Sequence, residues 1–512
     1  MPTPALRTPV LVAGAGVTGS LTALELAHHG VPSLVVERSG GPSRYPDPLL
    51  ISGRGMELMR RLGLTRALRA GGMDPSCPVD VLWSPEAGLP AVPVWRLPAP
   101  AELSRSYASS ADGTAPIEPY LVINGPVLIT RLRRALHEHP LIDLRTRWIL
   151  TDVHAEPGGV TTTVIDAAAG SRHVIESAYL AGCDGADSTV RRCAGLGLQQ
   201  LGPSATRFTV YFRSPALTGA WRHPSVLITR GATVTGGHDG DSCVAHLRLG
   251  TDDPDQVGDP SALLHHRLGL TEDPPQVVAV VQRTGAPSVA RAYREGRIFL
   301  AGRAGHQSGA PGGDVDLCIG DAVDLGWRLA ATLHGWGGDR LLAGYQAERR
   351  VAALAGQRSA RQVRRTRARL DRLTGSGAGQ DVIVGALRRH APRVDPAGTG
   401  PAAAAGTPGH RSPAFPLAGG GQLFDRLGPQ FTLADLTADQ NGWPLVTAAR
   451  TRGIPVRHLP IAGTRVPAAW RGRLVLIRPD QRVAWCADEL PDDCDRVLSE
   501  VTGSRQVLYE NT

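Results

Sequence analysis

The stretch that decides the fold is Val10-Leu11-Val12-Ala13-Gly14-Ala15-Gly16-Val17-Thr18-Gly19, with Ser20 to His29 and Leu34-Val35-Val36-Glu37 behind it. Val10 to Ala13 is a short apolar run bounded by glycine, which predicts a buried strand. Gly14 to Gly19 is a G-x-G-x-x-G. Ser20 to His29 has helical composition and stops at Gly30, a suitable residue just past a helix end. Leu34-Val35-Val36 is a second strand ending in an acid. Each glycine has a separate duty: Gly14 for the tight turn, Gly16 for close approach to a pyrophosphate, Gly19 for helix–strand packing. The helix N-terminus offers unpaired N–H groups and a positive dipole end to phosphates. Glu37 stands 18 residues after Gly19, placed to accept from ribose hydroxyls. Strand, glycine loop, helix, strand and acid in this order imply a dinucleotide site.

Outside this stretch, composition mostly excludes. The 512 residues suggest two to four domains, three fitting best at roughly 100–200 residues each. Hydrophobic residues at 42% and charged residues at 20% suit a globular protein with a sizeable core. Lysine is absent, so a P-loop and any Schiff-base chemistry are excluded. The net charge of +8 therefore rests on arginine alone, and with 4% aromatics it gives no case for nucleic acid. The seven cysteines are scattered without a C-x-x-C, and neither H-E-x-x-H nor G-x-S-x-G occurs. No metal site is expected. No apolar run reaches 18 residues and the N-terminus enters the glycine motif at once, so the expectation is a cytoplasmic protein without membrane contact.

Two further segments carry a family resemblance. Cys183-Asp184-Gly185-Ala186-Asp187-Ser188-Thr189-Val190-Arg191 resembles the C-D-G-x-x-S-x-x-R of flavoprotein aromatic hydroxylases. Gly296 to Gly302, running into Arg303-Ala304-Gly305-His306, resembles their strand and G-D-A-A-H. Asp321 to Ala330 resembles D-A-x-N-L-x-W-K-L-A, and Ala347-Glu348-Arg349-Arg350 matches A-E-R-R. With the first motif, these resemble class A FAD-dependent monooxygenases of the aromatic polyketide and phenol hydroxylase branch.

The resemblance implies an α/β fold: a Rossmann-like FAD-binding domain, a middle β-sheet domain covering the substrate, and a thioredoxin-like C-terminal domain. The expected boundaries are 1–180 and 280–395 for the first, 181–279 for the second, 396–410 for a Pro/Gly linker and 411–512 for the third. FAD is the implied cofactor, with NAD(P)H as a transient reductant having no Rossmann unit of its own. The cofactor-binding candidates are Gly14, Gly16, Val17, Thr18, Gly19, Glu37, Arg38, Asp184, Arg303, Gly312 and Gly313. By position only, Arg54 and His306 are candidates for the catalytic centre, although His306 could equally satisfy a loop carbonyl. Residues 351–373 predict a long helix with apolar residues Val351, Leu354, Val363, Thr366, Leu370 and Leu373 on one face and a solvated arginine face opposite. Cys486 and Cys494 are eight apart, unsuited to dithiol exchange, so the last domain is expected to be structural.

The departures from the family gather at one end of the implied cofactor. Arg303 replaces an aspartate, and a guanidinium only donates. Asp47 stands where an arginine near the flavin is usual, and Gly125 where a glutamine is usual. Val315 replaces a glycine in the loop beside the ring, where a β-branched residue resists positive φ. Asp314 and Asp316 bring negative charge there. Three readings follow: a monooxygenase that hydroxylates or epoxidises a bulky, apolar, polyketide-type molecule; a non-redox cyclase, for example for a [4+2] closure, with FAD structural or absent; and a binding protein on the same fold. A monomer or homodimer is expected.

Overall fold

The structure, a computed structural model, describes residues 5–42, 45, 47–221, 223–238, 240–248, 262, 264, 265, 268, 275–308, 314–390, 394–399 and 404–504. Strand Leu6–Ala13 lies at its centre, parallel to Ser33–Glu37 on one side and to Ser171–Gly182 on the other. Ile142–Thr146 and Ile298–Leu300 extend these neighbours, also in parallel. Val10, Leu11 and Val12 are fully buried, as expected of a strand covered on both faces. The helix Val17–His28 is buried along nearly its whole length because helix Val315–Leu333 packs on its outer side. Even Glu25 is fully buried there; burial alone would raise its pKa, but Arg61 and His29 bring it down to about 2. This is a doubly wound α/β unit of Rossmann type.

A second, seven-stranded sheet stands beside it, in the order Gln276–Gly285, Ala205–Arg213, Ser242–Arg248, Ala232–Gly236, Ser225–Ile228, Val79–Trp83, Val92–Leu97. The last two strands come from well before residue 181. Val79, Val81 and Trp83 are buried in alternation, and Val79–Trp83 pairs in parallel with Ser225–Ile228. The chain thus visits the middle sheet twice, and strand Ser171–Gly182 of the first sheet runs across the expected boundary at 180.

The long helix spans Asp339–Gly375, starting before residue 351 because Ala347 to Arg350 belong to it. Its buried face is the expected one only in part: Thr366 and Leu370 lie on it as read from the sequence. Val351 and Val363 are exposed, whereas Ala353, Gln357, Ala360, Thr366 and Leu370 face inward. Small residues let this helix approach its neighbours closely. Exposed Arg358, Arg361, Arg365 and Arg369 form the solvated side, as expected.

The C-terminal region holds a four-stranded sheet in the order Val456–Pro460, Phe431–Asp435, Leu474–Ile477, Val483–Ala487, with helices Trp443–Thr451 and Cys494–Thr502. Phe431, Leu433, Leu445 and Leu474 share one apolar cluster with Trp327 and Trp336 of the first unit. Before it, the linker is pinned: Pro396 and Ala397 carbonyls accept from the N–H groups of Gly53 and Arg54.

Candidate functional site

The glycine loop has the geometry its spacing predicts. Gly14 has φ +99°, and a side chain there would meet the Cys183 carbonyl at 2.6 Å. A Cβ at Gly19 would collide with the Gly14 carbonyl. At Gly16, by contrast, a Cβ would meet nothing within 4 Å, so the space before the loop is open. Gly16 caps helix Val17–His28 without any side-chain cap, leaving its first N–H groups for another acceptor. Val17 is half-buried there and Thr18 buried.

Glu37 closes the far side. It accepts from Ala15 N at 2.7 Å and from Ser39 N and Oγ at 2.8 and 2.6 Å. Arg38 is exposed next to it. Arg133, on helix Gly125–Glu138, braces this corner and was not among the sequence candidates. Its Nε donates to the Ala15 carbonyl at 3.0 Å and its Nη2 to Ser39 Oγ at 3.3 Å. Its Nη1 is buried and donates to no protein atom. Asp184 presents a matching gap: Oδ2 accepts from Val190 N at 3.0 Å, while Oδ1 is buried without a partner. A buried donor and a buried acceptor left open around the glycine cradle fit the ADP half of a dinucleotide.

The third motif reaches the same helix end. Gly302 has φ +60°, and a Cβ there would strike the Thr18 hydroxyl. Arg303 is therefore next to the cradle, with its side chain 48% exposed and its Nε 3.9 Å from Asp314 Oδ2. Below it, Asp321 accepts from Gly302 N at 2.9 Å and from Arg349 Nε at 2.6 Å. Burial would raise the Asp321 pKa, but Arg349 and His306 hold it below the usual range. His306 is 1% exposed, its Nε2 3.3 Å from Asp321 Oδ2 without a directed hydrogen bond. His306 thus packs under the loop against an acid, rather than capping a carbonyl or facing an open space.

Arg54 has a different duty from the expected one. It donates to Glu57 Oε2 at 3.1 Å, to Gln481 Oε1 at 2.7 Å and to the Asp480 carbonyl at 2.6 Å. Arg411 grips the other side of Glu57 through both carboxylate oxygens. This cluster, which includes Arg54, fastens the C-terminal region to the first unit. Two other departures at the ring end have a local structural setting. Val315 opens helix Val315–Leu333, where φ is negative, so its β-branch is not strained. Asp316 accepts from Ser52 N and Oγ at 3.1 and 2.9 Å. Gly312 and Gly313 lie outside the described residues.

Residues 7–359 match the family model described as FAD binding domain, and residues 405–504 match that described as aromatic-ring hydroxylase, C-terminal. The chain belongs to the FAD-binding aromatic-ring hydroxylase family. It is an FAD-dependent, monooxygenase-like enzyme by this membership, and FAD is its cofactor. Among similar proteins is the tetracenomycin A2 monooxygenase-dioxygenase of Streptomyces glaucescens, 29% identical over 97% of this chain and 98% of that protein. The dialkyldecalin synthase of Streptomyces rugosporus is 30% identical over 94% of this chain and 96% of its own length. The rebeccamycin biosynthetic enzyme RebC, solved with reduced flavin, aligns with a TM-score of 0.82 at 27% identity, covering 98% of this chain and all of that one. Among the described residues there is no group of metal-ligating side chains and no helix long and apolar enough to cross a membrane.

Proposed function

We propose that this enzyme tailors a polyketide-type secondary metabolite, hydroxylating or epoxidising a bulky, largely apolar small molecule with NAD(P)H and O2. The observation that carries the reading is the end-to-end likeness to the tetracenomycin A2 monooxygenase-dioxygenase. When bound, FAD supplies the redox chemistry that moves one oxygen atom from O2 to the substrate. The protein's part is to hold, orient and exclude water.

In this reading Gly14, Gly16, Val17, Thr18 and Gly19 meet the pyrophosphate through backbone N–H groups, and Glu37 and Arg38 face the ribose. Arg133 fills its open donor, and Asp184 its open acceptor, on the same ADP half. Arg303 reaches the pyrophosphate from the mouth of the cradle, and Gly312 and Gly313 border the ring. The substrate lies between the first unit and the seven-stranded sheet. The FAD-binding domain comprises 1–180 and 280–395 apart from the two strands lent to the middle domain, followed by the linker at 396–410. From 411 on we read a thioredoxin-like fold without redox function, supported by its parallel pair Phe431–Asp435 and Val456–Pro460 followed by two antiparallel strands. The protein acts in the cytoplasm as a monomer or homodimer, with no nucleic-acid or membrane partner.

A second reading has an observation of its own. The dialkyldecalin synthase relative is named for a carbocyclic product, and Asp47 sets an acid where the family's ring end has a base. On that reading the pocket pre-folds a chain for cyclisation and FAD stays oxidised. The visible spectrum of the purified protein, before and after anaerobic NADPH, separates the two. Flavin bands that bleach support oxygenation; bands that persist through many equivalents support cyclisation.

A further inference from the structure

Two of the departures noted in the sequence meet in space. Gly125 N donates to the Asp47 carbonyl at 2.8 Å, so the acid that replaces an arginine rests on the glycine that replaces a glutamine. From there the Asp47 side chain crosses to the middle sheet, where Tyr211 donates its hydroxyl to Asp47 Oδ1 at 2.7 Å. Tyr45 stacks on the Tyr211 ring at 4.7 Å and 18°. The other Asp47 oxygen accepts no hydrogen bond among the described residues, and no cation pairs with the group.

The sheet face that meets Asp47 is polar. Phe208, Val210 and Phe212 point into the apolar core of the middle domain, so Thr209 and Tyr211 point the other way. Cross-strand pairing puts His246 beside Thr209 and Thr233 beside His246, and Thr209 Oγ1 lies 3.3 Å from His246 Nδ1. Burial pushes the His246 pKa down to about 4, with Asp47 opposing this weakly, so the ring is neutral near pH 7. Arg283 is the remaining charged group acting on Tyr211. A cavity of about 500 Å³, lined in part by Met73, Pro215 and Trp221, opens where the strand carrying Tyr211 ends. Met73 N in turn donates to Val122 on the strand paired with Pro48–Ile51, directly after Asp47.

We propose that Asp47, fixed by Tyr211 and flanked by Thr209 and His246, is a subsite that accepts a hydrogen bond from an O–H or N–H group of an otherwise apolar substrate. Asp47 is half-buried, with one oxygen held by Tyr211 and the other open to a donor, and the stacked tyrosines supply a flat surface for the attached ring. The inference rests on the reading of the protein as an FAD-dependent tailoring enzyme, with the substrate between the first unit and the middle sheet. It is independent of whether that enzyme oxygenates or cyclises.

The test uses the FAD-loaded enzyme and three probes of similar shape: 2-naphthol, 2-naphthylmethylammonium and the donor-free 2-methoxynaphthalene. Binding is followed through the perturbed flavin absorbance, and FAD content is measured in every sample. Both donors are expected to bind at least tenfold more tightly than 2-methoxynaphthalene. Asp47→Ala should abolish that preference at unchanged FAD content. Asp47→Asn should weaken the ammonium far more than the naphthol if charge matters, and both alike if only the hydrogen bond does. A merely structural Asp47–Tyr211 link predicts something different: Tyr211→Phe and Asp47→Ala would lower Tm together and weaken all three probes by one factor. That result, or equal affinities for 2-naphthol and 2-methoxynaphthalene in the parent, overturns the subsite, as does failure of both donors to bind. Absence of FAD from the parent would instead overturn the functional reading on which it rests.

Discussion

The two ends of the cofactor path are built on opposite principles. At the glycine cradle, backbone does the work: Gly14 and Gly19 are forced by close contacts with Cys183 and with each other, and Gly16 faces open space. Little there depends on side-chain identity, so a short pattern suffices to specify it. At the Asp47 wall, side chains from residues 45, 47, 209, 211 and 246 converge from separate elements, and the backbone is ordinary. Chemistry can be exchanged at such a wall without disturbing the fold. On the proposed reading, this chain meets its cofactor through backbone and its substrate through side chains.

Substitution of two glycines breaks this comparison most directly. In Gly16→Val the new side chain meets no protein atom, so the apoprotein should keep its Tm while FAD affinity falls more than a hundredfold. Gly14→Val should lose both, because the positive φ and the Cys183 carbonyl oppose any side chain. Equilibrium dialysis with FAD and thermal melts of the apoproteins read the two effects separately. Full FAD occupancy in Gly16→Val would refute the cradle.

The next effect falls on the clamp. Arg411→Met leaves the fully buried Glu57 with only Arg54 and the Ile117 N–H as partners, and should cost roughly 3–5 kcal/mol of stability. Burial would raise the Glu57 pKa, but Arg411 and Arg54 lower it below the ordinary value. A depressed carboxylate contributes stability that is present above its unfolded pKa and lost as the pH falls toward its folded one. Melts of the parent should therefore decline below about pH 4.5, and Arg411→Met, having lost much of the shift, should decline less steeply. Parallel pH profiles would remove Glu57 from the account.

What could be read in advance follows the same divide. Strand, loop, helix and acid from Val10 to Glu37 are contiguous, and each step has a local cause, so the reading carried into the structure. Arg133 was missed because its role depends on a helix turning its Nε and Nη2 toward Ala15 and Ser39, more than ninety residues away. Tyr211 and His246 were missed for a similar reason: no local pattern tells which strand face turns to Asp47. Val79–Trp83 went unnoticed because five residues alternating in burial are a weak signal in a chain expected to stay in its first domain. The clamp that Arg54 joins was not legible either, since Asp480 and Gln481 lie more than four hundred residues on.

Arg303 lies between the two regions and sharpens the comparison. Its guanidinium is half-exposed and its nearest acid is 3.9 Å away, so it is free to turn to a phosphate but is screened by water. Arg303→Ala should weaken FAD roughly three- to tenfold, less than the more than tenfold of a buried charge-assisted contact, because water screens it. Arg303→Asp should weaken it further if pyrophosphate is the partner, and should strengthen it if the family's acid suits the ribityl chain better. Titrating the apoproteins with FAD and with ADP distinguishes these, because ADP lacks the ribityl chain.

The smallest effect is expected in the C-terminal region, and its smallness is the point. Cys486 and Cys494 are free thiols, half-buried, and burial raises the pKa of each, so neither is held as a reactive thiolate. Their neighbours act the same way: Asp488 on Cys486, and Asp495 with Asp493 on Cys494, each oppose ionisation further. The double variant Cys486→Ser, Cys494→Ser should retain the parent's FAD content, rate of NADPH-dependent bleaching and product yield, with Tm shifted by no more than a few degrees. A fall in turnover at unchanged Tm would mean that this region exchanges electrons or disulfides with the site. The contrast between a chemical front and a structural rear would then have to be redrawn.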